Sequence, residues 1–208
     1  MKNRNKTARL PSNKKTEIIS EAIRLFAEKG YYATTLDEIA SRVGITKAAI
    51  YYYFNSKMEL MRLIMQLTTS RMNDAIKLAD SKLSSKEKLR KFIKYHVQYA
   101  AENRDDAKIL FEQIDSLPVR TRESIRRKIK EDDIALQNIL SDGVKNGSFA
   151  IGDVKIASYA ILGMCNWLYR WYKPDGRLTS QQISQIMMNI LENGYLRQSK
   201  PSERTRQH

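Results

Sequence analysis

Around position 50 the chain reads ITKAAIYYYFNSKMEL, a stretch whose side chains make hydrogen bonds and carry no bond-breaking machinery. Tyr51, Tyr52 and Tyr53 stand in a row, and three consecutive helical positions point in three directions, so they cannot all be core. At least one hydroxyl must face outward, where it can donate to a phosphate oxygen. Thr34 and Thr35 precede the apolar positions of the next helix; Thr35 suits its N-cap, and its neighbour Thr34 is placed to meet a phosphate. Lys57 falls in the first turn of a further helix, where a cation opposes the helix dipole and makes sense beside an anion.

The elements that must hold these groups follow from periodicity. Leu36, Ile39, Ala40 and Val43 recur at helical spacing, Gly44 breaks the pattern, Ile45 follows as a buried turn residue, and Thr46 caps a second short helix over 47–54. Two short helices joined by a tight glycine turn form a helix-turn-helix, whose second helix can enter a DNA major groove. Helix one is expected over about 15–29, with Ile19, Ala22, Ile23 and Phe26 on one face and Gly30 as its stop. Ser56 and Glu59 form a capping box at the start of helix four, which runs to about 83 with no Pro, Gly or Ser linker, so that movement beyond it is transmitted rigidly.

Ser84 and Glu87 form a second capping box and open helix five, with Leu89, Phe92, Ile93, His96, Val97 and Ala100 inward. Helix six covers about 105–115 and stops at Leu117-Pro118, and helix seven runs from 120 to about 145, stopped by Asn146-Gly147. Asp153 caps helix eight, which continues to about 172; Pro174-Asp175-Gly176 makes a turn, and Thr179 caps helix nine, which runs to about 196. This hairpin carries more apolar surface than one side can bury, including Ile161, Met164, Trp167, Trp171, Ile186 and Ile190, and a two-fold four-helix interface would use the surplus.

Bulk properties agree with an all-α fold of about nine helices. Eight glycines and four prolines are few for 208 residues, and no alternating strand pattern stands out. The longest apolar stretch, 159–164 extended through Trp167, is too short to span a bilayer, and the first residues lack the apolar core of a signal peptide, so a cytoplasmic protein is expected. One cysteine, Cys165, forms no internal disulfide and reads as a small core residue. The net charge of +14 points to a polyanionic partner. Residues 1–60 hold 11 Lys and Arg against 6 Asp and Glu, which binding to DNA explains; residues 61–130 hold 17 against 9, which suits either an anionic ligand or a solvated helical surface.

The run LFAEKGYYATTLDEIASRVGITKAAIYYYFNSKMEL, within 18–60, resembles the DNA-binding domain of the TetR family of transcriptional regulators. The resemblance implies a flexible basic arm over 1–13, a DNA-binding domain over 14–60, a helical effector-binding and dimerisation domain over 61–198, and a flexible tail over 199–208. It implies that Lys47, Ala48 and Ala49 face base edges, Lys47 toward guanine and the alanine methyls toward thymine. It also implies that Tyr51, Tyr52, Lys57, Thr34, Thr35 and Thr46 hold phosphates, and that the last two helices supply a homodimer interface, giving a palindromic operator with sites about one helical turn or a multiple apart.

The stretch GMCNWLYRWYKPDGRLTSQQI, 163–183, is similar to a TetR subgroup that regulates fatty-acid, phenylacetate and steroid breakdown and responds to acyl-coenzyme A thioesters. Such an effector needs an apolar tunnel and cations for its phosphates. Phe92, Tyr99, Phe111 and Met164, with Leu110 and Ile114, are candidates for the tunnel, and Asn166, Trp167, Arg170 and Trp171 for the head group. Each of the apolar ones reads more readily as core than as pocket lining, and His96 reads as a satisfied helix residue. The expected function is a dimeric repressor released from its operator by a ligand wedged among helices four to eight; the alternative is a TetR-like regulator of another hydrophobic ligand or drug. An enzyme fares badly: two histidines, no phosphate-binding glycine loop, no metal-spaced cluster and no nucleophile with a base, so neither metal nor cofactor is expected.

Overall fold

Helix stop signals divide the chain where the sequence places them. The computed structural model describes residues 12–72 and 82–194, which are helical throughout apart from turns. α1 spans Ser12–Lys29 and ends at Gly30. α2 (Leu36–Val43) is capped by the Thr35 hydroxyl, which accepts from the Glu38 amide at 3.1 Å. It stops at Gly44, whose φ of 71° is open to glycine without strain and lets the chain turn back at once. α3 (Lys47–Tyr53) is capped in the same way by Thr46, with the Ala49 amide 3.2 Å away. The expected basic arm and tail lie outside the described residues, apart from the first turn of α1.

α4 runs Lys57–Met72. The last part of the predicted fourth helix lies outside the described residues, and Lys82 and Leu83, where it was expected to end, form a bend. The first capping box is shifted: Ser56 accepts from the Glu59 amide, but the Glu59 carboxylate reaches past Ser56 to the backbone and side-chain amides of Asn55. The second box is reciprocal, Ser84 with Glu87, and opens α5 (Ser85–Glu102). α6 (Arg104–Gln113) ends in a 3-10 turn, Ile114–Ser116, ahead of α7 (Val119–Lys145).

The predicted helix eight is two helices, α8 (Val154–Asn166) and α9 (Leu168–Trp171), and α10 (Ser180–Asn193) completes the set. The break at Trp167 comes where the chain turns to meet α6. There the Tyr169 carbonyl accepts from Arg104, its ring stacks on Phe111 at 5.7 Å, and its hydroxyl bonds Glu112.

Two apolar cores result. The first joins α1–α4 but also takes Tyr99, Ile109, Leu110, Leu117 and Ile125 from α5, α6, the turn after it and α7. The second is built from α5, α7, α8, α9 and α10 around Phe92, Ile93, Leu136, Ile139, Ile161 and Leu168. Gly143, inside α7, is required by this packing: a Cβ there would stand 1.9 Å from the ring of Phe149, which folds back over the helix. Among the described residues no helix is long and apolar enough to cross a membrane.

Candidate nucleic-acid interface and ligand cavity

The α2–turn–α3 pair presents one outer face. Lys47 and Ala48 are exposed, Ala49 is half-buried, and Ile50 anchors the helix in the first core. Of the tyrosines, Tyr52 is 74% exposed and Tyr51 44%, while Tyr53 is the inward one, its buried hydroxyl unpartnered and its ring edge-on to Tyr52. Lys47 Nζ lies 2.7 Å from Asp37 Oδ2, and the hydrogen bond and charge of Asp37 raise the lysine's pKa. To reach a base edge Lys47 must leave that carboxylate.

Beside this face lies a groove of about 340 Å³ lined by Thr34, Thr35, Leu36, Asp37, Tyr51, Asn55, Ser56 and Lys57. It gathers the starts of α2 and α4, whose free backbone amides and dipoles favour an anion. Thr35 and Tyr51 are exposed on it, and Thr46 is exposed at the start of α3.

One expected phosphate contact is corrected here, and a second has partners within the protein. Thr34 is fully buried, its hydroxyl donating to the Gly30 carbonyl at 2.9 Å, so it fastens the α1–α2 turn. Lys57 Nζ donates to the carbonyls of Tyr31, Tyr32 and Thr34 at 2.7, 3.3 and 2.6 Å and sits 4.4 Å from the centre of the Tyr31 ring. Its three donors are thereby used, and carbonyl dipoles rather than a bound anion explain a cation in that first turn. Burial lowers its pKa, yet its charge remains on the groove wall. Tyr32, 78% exposed beside this lysine, is a contact candidate that periodicity misses, because it lies in a turn.

The eight candidate effector residues do not converge. Phe92 is buried in the second core, and Met164 packs against it. Tyr99 belongs to the first core, its hydroxyl bonded to the Thr68 carbonyl, and borders a separate polar cavity with Arg71. Phe111 stacks on Tyr169, and Asn166 ends α8 half-buried. Trp167 and Trp171 are about half exposed. Arg170 is already held: it is bound to Glu112 at 2.7 Å and lies over the Trp167 ring at 5.0 Å.

The cavity that fits an apolar guest is elsewhere. About 420 Å³ is enclosed by Leu89, Leu140, Phe149, Ala157, Ile161 and Met188, with Lys86 and Glu192 at its rim. Its residues come from α5, α7, α8, α10 and the 148–151 segment, and none from α4. At the rim Glu192 is shared by Lys86 at 3.2 Å and Arg90 at 2.9 Å, so two cations face one carboxylate. The mid-helix Gly143 was the available sequence signal, since it implies a large side chain folding back. Cys165 is buried, and its thiol is pushed up to about 12 by that burial and by the charge of Asp132, which fits a core residue. Among the described residues no cluster of His, Cys, Asp and Glu is arranged for a metal.

Comparison with known proteins agrees with this geometry along most of the chain. Residues 18–64 match the family model of bacterial regulatory proteins of the tetR family, and 82–195 match the tetracyclin repressor-like C-terminal domain. The chain is similar to the HTH-type transcriptional repressor KstR2 of Mycolicibacterium smegmatis, 30% identical over 198 residues that cover 88% of this chain and 91% of that one. Among solved structures it is similar to the TetR family regulator PfmR of Thermus thermophilus, with a TM-score of 0.80, 33% identity, and 86% and 99% of the two chains covered. It is also similar to AibR in complex with isovaleryl coenzyme A and operator DNA, with a TM-score of 0.78, 27% identity, and 86% and 97% covered. A helix-turn-helix with an outward tyrosine face and a second helical core thus has relatives over most of the chain, and the chain belongs to the tetR family as a transcriptional repressor, a DNA-binding regulator and not an enzyme.

Proposed function

We propose that this repressor binds a palindromic operator as a homodimer and is released by an acyl-coenzyme A. The observation that carries the effector is the apolar cavity with Lys86 on its rim and Arg90 beside it, both on the rim carboxylate of Glu192. The cavity suits an acyl chain, and Lys86 and Arg90 suit phosphates. The same rim disfavours the alternative of a cationic drug. Support from relatives is of the same kind: AibR was solved with isovaleryl coenzyme A and operator DNA, and KstR2 of Mycobacterium tuberculosis is a ketosteroid regulator.

The dimer reading rests on Ile156 and Tyr159 of α8, Trp167 at the break, Trp171 of α9, and Ile186 and Leu191 of α10, large apolar side chains left in water. A second copy would cover them. Leu191 and Ala160 border both this face and the cavity, so an occupant touches the surface that sets the distance between the two heads. Release follows only if the ligand prefers the arrangement that fits DNA less well.

The test is thermal stability of the purified dimer with a panel of acyl-coenzyme A thioesters, the free acids and free coenzyme A. A ligand that binds the native state raises the melting temperature by mass action. A shift with thioesters but not acids is expected; no shift with any thioester removes the acyl-coenzyme A reading and leaves the repressor intact.

A further inference from the structure

Two buried polar atoms beside the second core make no hydrogen bond: Nε2 of His96 and Oδ1 of Asp132. His96 is 2% exposed and Asp132 3%. Nε2 lies 3.2 Å from Oδ2 of the same aspartate, close enough for an ion pair but out of line for a hydrogen bond. The histidine, read from the sequence as satisfied, thus has a carboxylate neighbour but no hydrogen bond at Nε2. Buried donors and acceptors without hydrogen bonds are costly and few in native proteins, and two of them on adjacent side chains call for a third group.

Their position says what that group belongs to. On α5 the residues Leu89, Phe92 and His96 follow one another along a single face, and on α7 so do Leu140, Leu136 and Asp132. Leu89 and Leu140 line the 420 Å³ cavity. Phe92 and Leu136, both fully buried, occupy the intervening turn, and the Phe92 ring lies against the imidazole with centroids 4.3 Å apart. The pair thus stands about 12 Å along α7 from the cavity wall, at 1.5 Å per residue.

We propose that the cavity and the His96–Asp132 pair are the two ends of one effector site, joined when the Phe92 ring turns aside, and that the effector carries an uncharged hydroxyl at the far end of its apolar body. This rests on the reading of the cavity as the effector site. A hydroxyl is both donor and acceptor, so it accepts from Nε2 of His96 and donates to Oδ1 of Asp132 at once. A ketone has no proton for the carboxylate, a carboxylate sets a second anion beside it, and a methyl group answers neither. With the coenzyme A head at the cationic rim, the effector class becomes a hydroxyacyl thioester.

The experiment is calorimetric titration of the full-length protein with matched pairs of ligands in a series of chain lengths. Each pair is an acyl-coenzyme A and its terminally hydroxylated counterpart, and the corresponding free acids are run beside them. At the best length the hydroxylated member is expected to bind at least about tenfold tighter, since a site built to hydrogen-bond a hydroxyl rejects the analogue lacking it. A double variant, His96→Phe with Asp132→Leu, is expected to keep its helical circular dichroism and operator binding and to lose that preference. Equal binding of both members at every length by the unmodified protein overturns the inference, as does a retained preference in the double variant. Discrimination among the free acids with no response to any thioester upholds the inference and removes the coenzyme A reading. Absence of binding by every ligand removes both.

Discussion

The DNA-binding head and the second core spend their buried polar groups in opposite ways. In the head, Thr34 gives its hydroxyl to Gly30 and Lys57 gives its three donors to the carbonyls of one turn. Only the Tyr53 hydroxyl is left over there among the described residues. In the second core, His96 and Asp132 stand side by side with capacity unused. A surface that must match DNA gains from a turn locked by hydrogen bonds, whereas an interior that receives a guest needs groups not already committed. The contrast is between a region whose hydrogen bonds are complete and one that, on the reading proposed above, is completed by its ligand.

The sharpest way to break this comparison is Lys57→Met. If the ammonium fastens the α1–α2 turn, unfolding by denaturant should show a loss of about 3 kcal/mol, because hydrogen bonds to charged groups contribute about 1.5–3 kcal/mol each and water recovers part of the exposed one. A loss of operator affinity with stability unchanged would return Lys57 to the role of phosphate ligand. Thr34→Val should cost about 1–2 kcal/mol of stability by the same logic and leave the affinity of the folded protein for operator nearly unchanged. For the second core the expectation is reversed. His96→Phe with Asp132→Leu should leave stability equal or higher, since apolar replacement of an imperfect buried pair is often neutral or favourable.

Affinity should separate the outward residues. Tyr52→Phe is expected to weaken binding to every DNA sequence by about fivefold, the worth of one hydrogen bond near 1 kcal/mol. Lys47→Ala should instead narrow the gap between operator and unrelated DNA; equal loss on both in competition assays would sink its base-reading role. The smallest expected effect concerns Asp106, whose carboxyl is held above its usual range by burial, with the Thr68 hydrogen bond and Arg71 opposing. The folded state is favoured while that group is protonated and loses the advantage as pH rises through the raised value. Asp106→Asn should therefore raise the melting temperature slightly at neutral pH, and the gain should vanish on acidification.

Local signals read true where the partner lies a few residues away. Thr35, Thr46 and Ser84 cap as their spacing says, because the amide they bind sits three positions on. Lys57 and Thr34 misled because their partners are carbonyls of a turn that only the folded head brings close. Arg170 looked like a head-group ligand between two tryptophans, but its carboxylate comes from α6, 58 positions away. The cavity was illegible for the same reason: five separate segments meet there, and Gly143 was the single local trace of it. Periodicity places a face inward; which other face it meets is decided by packing over long separations.

The first core does not stop where the helix-turn-helix stops. Leu117, Ile125 and the α6 residues Ile109 and Leu110 pack into it, and the Gln113 side chain accepts from the Tyr31 amide at the base of the α1–α2 turn. Consider an exchange of heads between repressors, to pair one operator with another inducer, cut near the start of α4. For this chain such a chimera would leave the transplanted head facing a foreign α6, and the graft should succeed only when the α6 residues that touch the head travel with it.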